Sequence, residues 1–149
     1  MSNISAAQVK ELREKTGLGL MDCKKALEDA EGNMDKAIEE LRKTSGVKAS
    51  KKSGRSAADG LIAIKNIEDQ IFMIEVNCET DFVARDDSFV EFTSQTLKSF
   101  SENPEKTLQE LMDDGIEDNR EKIVQKLGEN IVVRSCLLYT SPSPRDLAV

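Results

Sequence analysis

Ile71-Phe72-Met73-Ile74-Glu75-Val76-Asn77-Cys78-Glu79-Thr80-Asp81-Phe82-Val83 decides the fold. Its first part alternates: Phe72, Ile74, Val76 and Cys78 fall to one side, as a half-buried β-strand requires. Its last part breaks that period and leads into a helical pattern. An acidic residue and a bulky aromatic therefore sit together at a strand-to-helix junction. Connections of this kind run over the surface, are held rigidly by their flanking elements and often carry function. Upstream, Gly60 to Ile67 reads as a second strand, with Glu68-Asp69-Gln70 near the turn, so residues 60–78 form a β-hairpin. A lone hairpin is barely stable in water, so helices must cover it.

Those helices follow. Ser88 and Glu91 have the spacing of a capping box, after which Phe89, Phe92, Thr96, Leu97 and Phe100 trace one stripe. Asn103-Pro104 reads as a cap followed by proline at the first helical position, opening a helix with Leu108, Leu111 and Met112. Another helix spans about Glu117 to Leu127 and buries Ile123, Val124 and Leu127. Gly128 ends it, and Asn130 to Arg134 reads as a strand.

Working back to the start, residues 1–45 read as a three-helix module. Ser5 and Gln8 fit a capping box, Val9 and Leu12 mark the first apolar face, and Gly17 ends the helix. The second runs from about Leu20 to Ala30 with Leu20, Cys23 and Leu27 on one side. Asn33 caps the third, where Met34, Ala37, Ile38 and Leu41 follow the i, i+3, i+4, i+7 rule. Residues 46–58 are expected to be a linker, because small residues and like charges disfavour a packed core. Residues 59–135 then make an α+β core, and the whole chain is of the α+β class.

Charge is distributed in blocks. Residues 1–41 carry nine acids and six bases, residues 42–58 six bases and no acid, residues 59–135 eighteen acids and eight bases. The formal net charge of −7 argues against general nucleic-acid affinity. The apolar runs Leu61 to Ile64 and Ile71 to Ile74 are far too short to cross a bilayer, and the N-terminus enters a helical pattern without a signal peptide. No membrane association and a cytoplasmic location are expected. Cys23, Cys78 and Cys136 lie far apart with no CxxC and no histidine, which argues against a zinc site and a disulfide scaffold and fits a reducing compartment.

Catalytic chemistry has little to stand on. There is no GxxxxGK[ST] loop, and Gly17-Leu18-Gly19 is too short for a dinucleotide fingerprint, so no cofactor and no directly bound nucleotide are expected. Without histidine there is no Ser-His or Cys-His pair. Asp86-Asp87 reads as a helix N-terminus, where acids favour the macrodipole, rather than as an acid–base pair. Cys23 beside Lys24 and Lys25 reads as a small apolar residue on a helix face rather than a low-pKa thiol. Lys51-Lys52 reads as a solvated run, not a phosphate grip. No catalytic residue and no metal ligand are assigned.

Thr80 to Val83 keeps two readings. Phe82 either plugs the local core while Asp81 caps the next helix, or stands out as a wedge with Asp81 as its polar companion. Residue type leans to the first, and sequence physics does not choose.

The end of the chain stands apart. Cys136-Leu137-Leu138-Tyr139-Thr140-Ser141-Pro142-Ser143-Pro144-Arg145-Asp146 continues no periodicity of the core and resembles a translated transposase-end sequencing adapter. Residues 136–149 are therefore expected to lie outside the fold, as a segment foreign to the natural protein would; the alternative is a disordered Ser/Pro tail. The strand at 130–134 would then lack its neighbour and leave an unpaired edge.

Five motifs, in order, carry a family resemblance: Val9-Lys10-Glu11-Leu12-Arg13-Glu14-Lys15-Thr16-Gly17, Met21-Asp22-Cys23-Lys24-Lys25-Ala26-Leu27, Ala58-Asp59-Gly60, Glu75-Val76-Asn77-Cys78-Glu79-Thr80-Asp81-Phe82-Val83-Ala84 and Lys126-Leu127-Gly128-Glu129-Asn130-Ile131. Over about residues 1–135 the chain resembles bacterial translation elongation factor Ts, the nucleotide exchange factor for elongation factor Tu. The resemblance implies an N-terminal module like ubiquitin-associated domains, a basic linker and the first half of a dimerisation-type α+β core. It implies that Thr80, Asp81, Phe82 and Val83 contact the GTPase domain of elongation factor Tu and act in displacing Mg²⁺ from its nucleotide site. It further implies that members continue into a second core subdomain, so weaker binding and exchange than an intact member are expected. Two other classes remain: an interaction adaptor using the helical module alone, and a thiol enzyme using Cys23 or Cys78.

Overall fold

The computed structural model describes residues 4–140. The described residues divide into two compact units, one of residues 4–55 and 118–130, the other of residues 56–117 and 131–140.

The first unit is helical. Helix α1 (Ala6–Thr16) begins with the Ser5/Gln8 capping box and ends at Gly17 in the left-handed conformation. Helix α2 (Leu20–Asp29) and helix α3 (Met34–Lys52), capped by Asn33, follow. Val9, Leu12, Leu18, Cys23, Ala26, Leu27, Ala37 and Leu41 form one core, as the i, i+3, i+4 spacing directs. Leu20 departs from the expected face: it opens α2 and is half exposed.

Helix α3 also runs on through Lys52, into the stretch that composition reads as linker. Packing explains the difference. Ser45 and Ala49 lie one turn apart on a buried face, and Ser45 Oγ donates to the Leu41 carbonyl and meets the side-chain amide of Gln125. Gln125 belongs to helix α7 (Glu117–Leu127), whose residues from Asp118 complete this unit. Small side chains here admit a neighbouring helix instead of loosening the chain. The basic run finds acids across the same unit: Lys48 meets Asp22 at 3.2 Å and Arg42 meets Asp118 at 3.8 Å.

The second unit is built on a three-stranded antiparallel sheet in the order β1-β2-β3. Strands β1 (Asp59–Ile67) and β2 (Gln70–Cys78) form the expected hairpin around Glu68-Asp69, with Glu68 at φ 53°. Phe72, Ile74, Val76 and Cys78 are buried, as their alternation requires. Helix α5 (Asp87–Glu102) covers that face with Phe89, Phe92, Thr96, Leu97 and Phe100. The Phe72 and Phe100 rings meet edge to face at 5.4 Å.

Two helix starts shift from the expected residue. Asp86, not Ser88, caps α5, its carboxylate accepting from the Ser88 amide at 2.8 Å. Thr107, with Glu110 in a capping box, opens the short helix α6 (Leu108–Leu111), so Asn103-Pro104 does not start it. In both places a better-placed side-chain oxygen wins the orphan amide. A π-helical turn, Met112–Ile116, leads on to α7, with Gly115 at φ 120°.

Strand β3 spans Val132–Thr140, beyond the expected 130–134. Cys136, Leu137, Leu138, Tyr139 and Thr140 pair with Ile74, Met73, Phe72, Ile71 and Gln70. Those residues therefore lie in the sheet, not outside the fold; residues 141–149 lie outside the described part. Ladder pairing asks only for backbone and β-tolerant side chains, which Leu, Tyr and Thr are. Burial tells the two halves apart: Val133 is buried, whereas Leu137, Leu138 and Tyr139 stay exposed.

Candidate functional site

Strand β2 ends with Cys78 buried beneath the sheet. Its Sγ donates to the Thr80 carbonyl at 3.1 Å, which folds the chain back over the strand end. Thr80 is extended, at φ −128° and ψ 157°, and its hydroxyl accepts from the Val83 amide at 3.4 Å. A threonine oxygen there satisfies a first-turn amide that would otherwise lack a partner. One helical turn follows, α4 (Asp81–Ala84). It is closed by Arg85 N–H to the Phe82 carbonyl at 3.3 Å and Asp86 N–H to the Val83 carbonyl at 3.0 Å.

That single turn sorts its side chains. Val83 and Ala84 face the interior. Asp81 and Phe82 face solvent, Phe82 with 83% of its surface exposed. The other four phenylalanines, Phe72, Phe89, Phe92 and Phe100, are all buried. Thus Val83, not Phe82, plugs the core, and Thr80, not Asp81, caps the turn. Asp81 pairs with Arg85 at 3.6 Å across open surface, which holds the carboxylate in place but contributes little energy.

The other candidate residues have ordinary structural partners. Asp86 is the cap of α5 and Asp87 lies in its first turn. Lys51 and Lys52 lie in the last turn of α3, where cations complement the helix dipole. Lys24 meets Glu28 at 3.8 Å. Cys23 and Cys78 are fully buried. Burial pushes the Cys136 thiol up to about 11. Among the described residues, no group of three or more histidine, cysteine or acidic side chains is placed to hold a metal. No helix of the described residues is long and apolar enough to cross a membrane.

A second apolar surface escaped the sequence reading. Leu20 and Met21 are exposed on α2 and, with Ile4, Ala6, Val9 and the Lys24 stem, line a shallow groove of about 290 Å³. The signal was there in principle. Adjacent apolar residues on a helix do not share a face, so Leu20 and Met21 could not both join the core.

By fold and surface, then, this is an α+β chain that presents an aromatic side chain on a capped, rigidly flanked turn. Residues 79–145 match the family described as Elongation factor TS, a match that includes the turn. Elongation factor Ts of Marinobacter nauticus is 54% identical over 144 residues, 95% of this chain and 50% of that protein. Elongation factor Ts of Hahella chejuensis is 50% identical over 143 residues, again 95% and 50%. Elongation factor Ts of Arthrospira platensis is 46% identical over 151 residues, 96% and 61%. Over most of its own length the chain is similar to elongation factor Ts, and it spans about half the length of the curated relatives it matches.

Proposed function

We propose that the chain is a translation elongation factor acting as a guanine-nucleotide exchange factor in the cytoplasm. It binds the GTPase domain of elongation factor Tu in its GDP form and promotes GDP release, which allows GTP to load. The observation that supports this best is Phe82, the one phenylalanine turned to solvent, within the motif shared with the family. Thr80, Asp81, Phe82 and Val83 are the proposed contact residues, with Phe82 as the wedge, Asp81 beside it, and Thr80 and Val83 fixing the turn.

In such GTPases GDP is held by phosphate-loop amides, a lysine and Mg²⁺ bridging phosphate and protein oxygens. Mg²⁺ demands near-ideal octahedral geometry. An aromatic pressed between neighbouring elements shifts them slightly and spoils that geometry, so GDP is held less tightly. Linkage makes the effect reciprocal: GDP weakens the factor by the same ratio. The factor needs no catalytic group, cofactor or nucleotide site of its own.

The test is the rate of GDP release from elongation factor Tu with added chain, alongside Phe82→Ala. Acceleration lost in the variant supports both function and wedge. Acceleration retained keeps the function and removes the wedge; none at any concentration counts against the reading.

A second reading draws on the exposed Leu20 and Met21: a ubiquitin-associated-like adaptor without exchange activity. It expects binding to be lost on Met21→Ser and unchanged by Phe82→Ala.

A further inference from the structure

The strand end that leads into the Phe82 turn is hydrogen-bonded by a side chain from far along the sequence. In β3, Ser135 faces Glu75 and Val133 faces Val76, so Arg134 sits at a bulge with no residue opposite. A bulge bends its strand and re-aims a side chain. Here the re-aimed group is a guanidinium. Arg134 Nε donates to Asn77 Oδ1 at 2.6 Å, and Nη2 to the Ala57 carbonyl at 3.4 Å. Its Nε also lies 3.8 Å from the Glu75 carboxylate.

Asn77 is buried and uses its other end fully. Its Nδ2 donates to the Asp59 carbonyl and to Glu75 Oε1, each at 3.2 Å. The amide can face only one way: turned over, its NH₂ would oppose the guanidinium, donor against donor. Cys78 comes next, and its thiol holds the Thr80 carbonyl. A chain of short contacts thus runs from Arg134 through Asn77 to the residue that caps the Phe82 turn.

We propose that Arg134 is a positioning residue for Phe82, fixing the end of β2 so that the aromatic is presented in one orientation. A planar fork suits the task, because it reaches two acceptors on different segments at once. Lysine, a point charge with no fixed donor geometry, does so less well. The consequence for nucleotide release rests on the exchange-factor reading above; the ordering of the turn does not.

The experiment compares the full chain with Arg134→Met and Arg134→Lys, by amide hydrogen exchange and by GDP release from the partner GTPase. Arg134→Met is expected to speed exchange at residues 79–85 by about tenfold or more, as local opening becomes easier, with Arg134→Lys between it and the parent. Amides of α1 to α3 should not change. Acceleration of GDP release should fall with Arg134→Met, and adding Arg134→Met to Phe82→Ala should cost nothing further, because both act through one aromatic. A merely structural role predicts the opposite: losses that multiply, and protection lost equally at the far hairpin turn, Ile67 to Gln70. Either of those results overturns the proposal, as does unchanged protection at 79–85 in a folded Arg134→Met. If Arg134→Met does not fold, parent-like protection at 79–85 in Arg134→Lys overturns it instead. A parent chain that fails to speed GDP release removes the exchange-factor reading, while hydrogen exchange still decides the positioning role.

Discussion

Phe82 and Val83 are neighbours on one helical turn with opposite environments: 83% of Phe82 is exposed, against 9% of Val83. The Thr80 cap fixes the phase of that turn, so a one-residue slip would exchange the two. Phe82→Ala is therefore expected to change stability by no more than about 0.5 kcal/mol, as for a surface residue with no partner, while abolishing the accelerated GDP release proposed above. Val83→Ala removes two buried methyl groups and should cost about 1.5 kcal/mol or more. Chemical denaturation of both variants, with the release assay, separates presentation from packing. A Phe82→Ala loss as large as that of Val83→Ala would mean the aromatic is packed in solution.

Gly60 lies across the hairpin from Asn77, and no other residue fits there. At φ +148° a Cβ would stand 2.1 Å from the Val76 carbonyl oxygen and 2.7 Å from the Asn77 Cα. Both are backbone atoms of a paired strand, so neither can swing aside. Gly60→Ala should destabilise the sheet unit by about 3 kcal/mol or more, through strain at a backbone position that L-residues avoid. Hydrogen exchange across β1 and β2 would show it directly, and parent-like protection there would count against so close an approach.

Cys136 provides a pH test. Burial raises its thiol from an ordinary 9.0 to about 11. At pH 8 its thiolate fraction, and hence its alkylation rate, should be about a hundredfold below that of an unperturbed cysteine. The rate should climb about tenfold per pH unit until near 11. The neutral form is the one the fold favours, so this contribution to stability is fully present below about 9 and is lost as pH rises toward 11. Cys23 and Cys78, fully buried, should label only on unfolding. A cysteine that labels rapidly at neutral pH would reopen the thiol-enzyme class.

How far these features were legible in sequence depends on what fixed them. The hairpin, the α5 stripe and the Ser5 and Asn33 caps rest on period and local chemistry, and the structure has all of them. Three features depend on a distant partner or on the phase of one turn, and were not legible. Helix α3 continues past residue 45 because α7 packs there, which local composition does not encode. Strand β3 extends to Thr140 because β2 offers a ladder, to which Leu137 and Tyr139 add little burial. Exposure of Phe82 follows from the phase of a single turn, set by Thr80, whereas residue type alone pointed inward.

The same dependence makes Gly46 the residue that tests the end of α3. Unlike Gly60, it lies inside a helix, with no unusual backbone angle, and a Cβ would meet only the Glu121 carboxylate at 3.3 Å. That neighbour is the far end of a flexible side chain and can yield by a few tenths of an ångström. Alanine exceeds glycine in helix propensity by about 1 kcal/mol, so Gly46→Ala should raise stability by about 0.5–1 kcal/mol in urea denaturation. The sign is the informative part. Were residues 46–52 a solvated linker in the native chain, alanine would have no helix to favour and the midpoint would not move. Were α7 packed rigidly against α3 at this point, the substitution would destabilise. A gain places the basic segment in a continuous helix whose small residues leave room for Glu121, and a further gain from helix-favouring Ser50→Ala, on an exposed position of the same helix, would extend that conclusion toward Lys52.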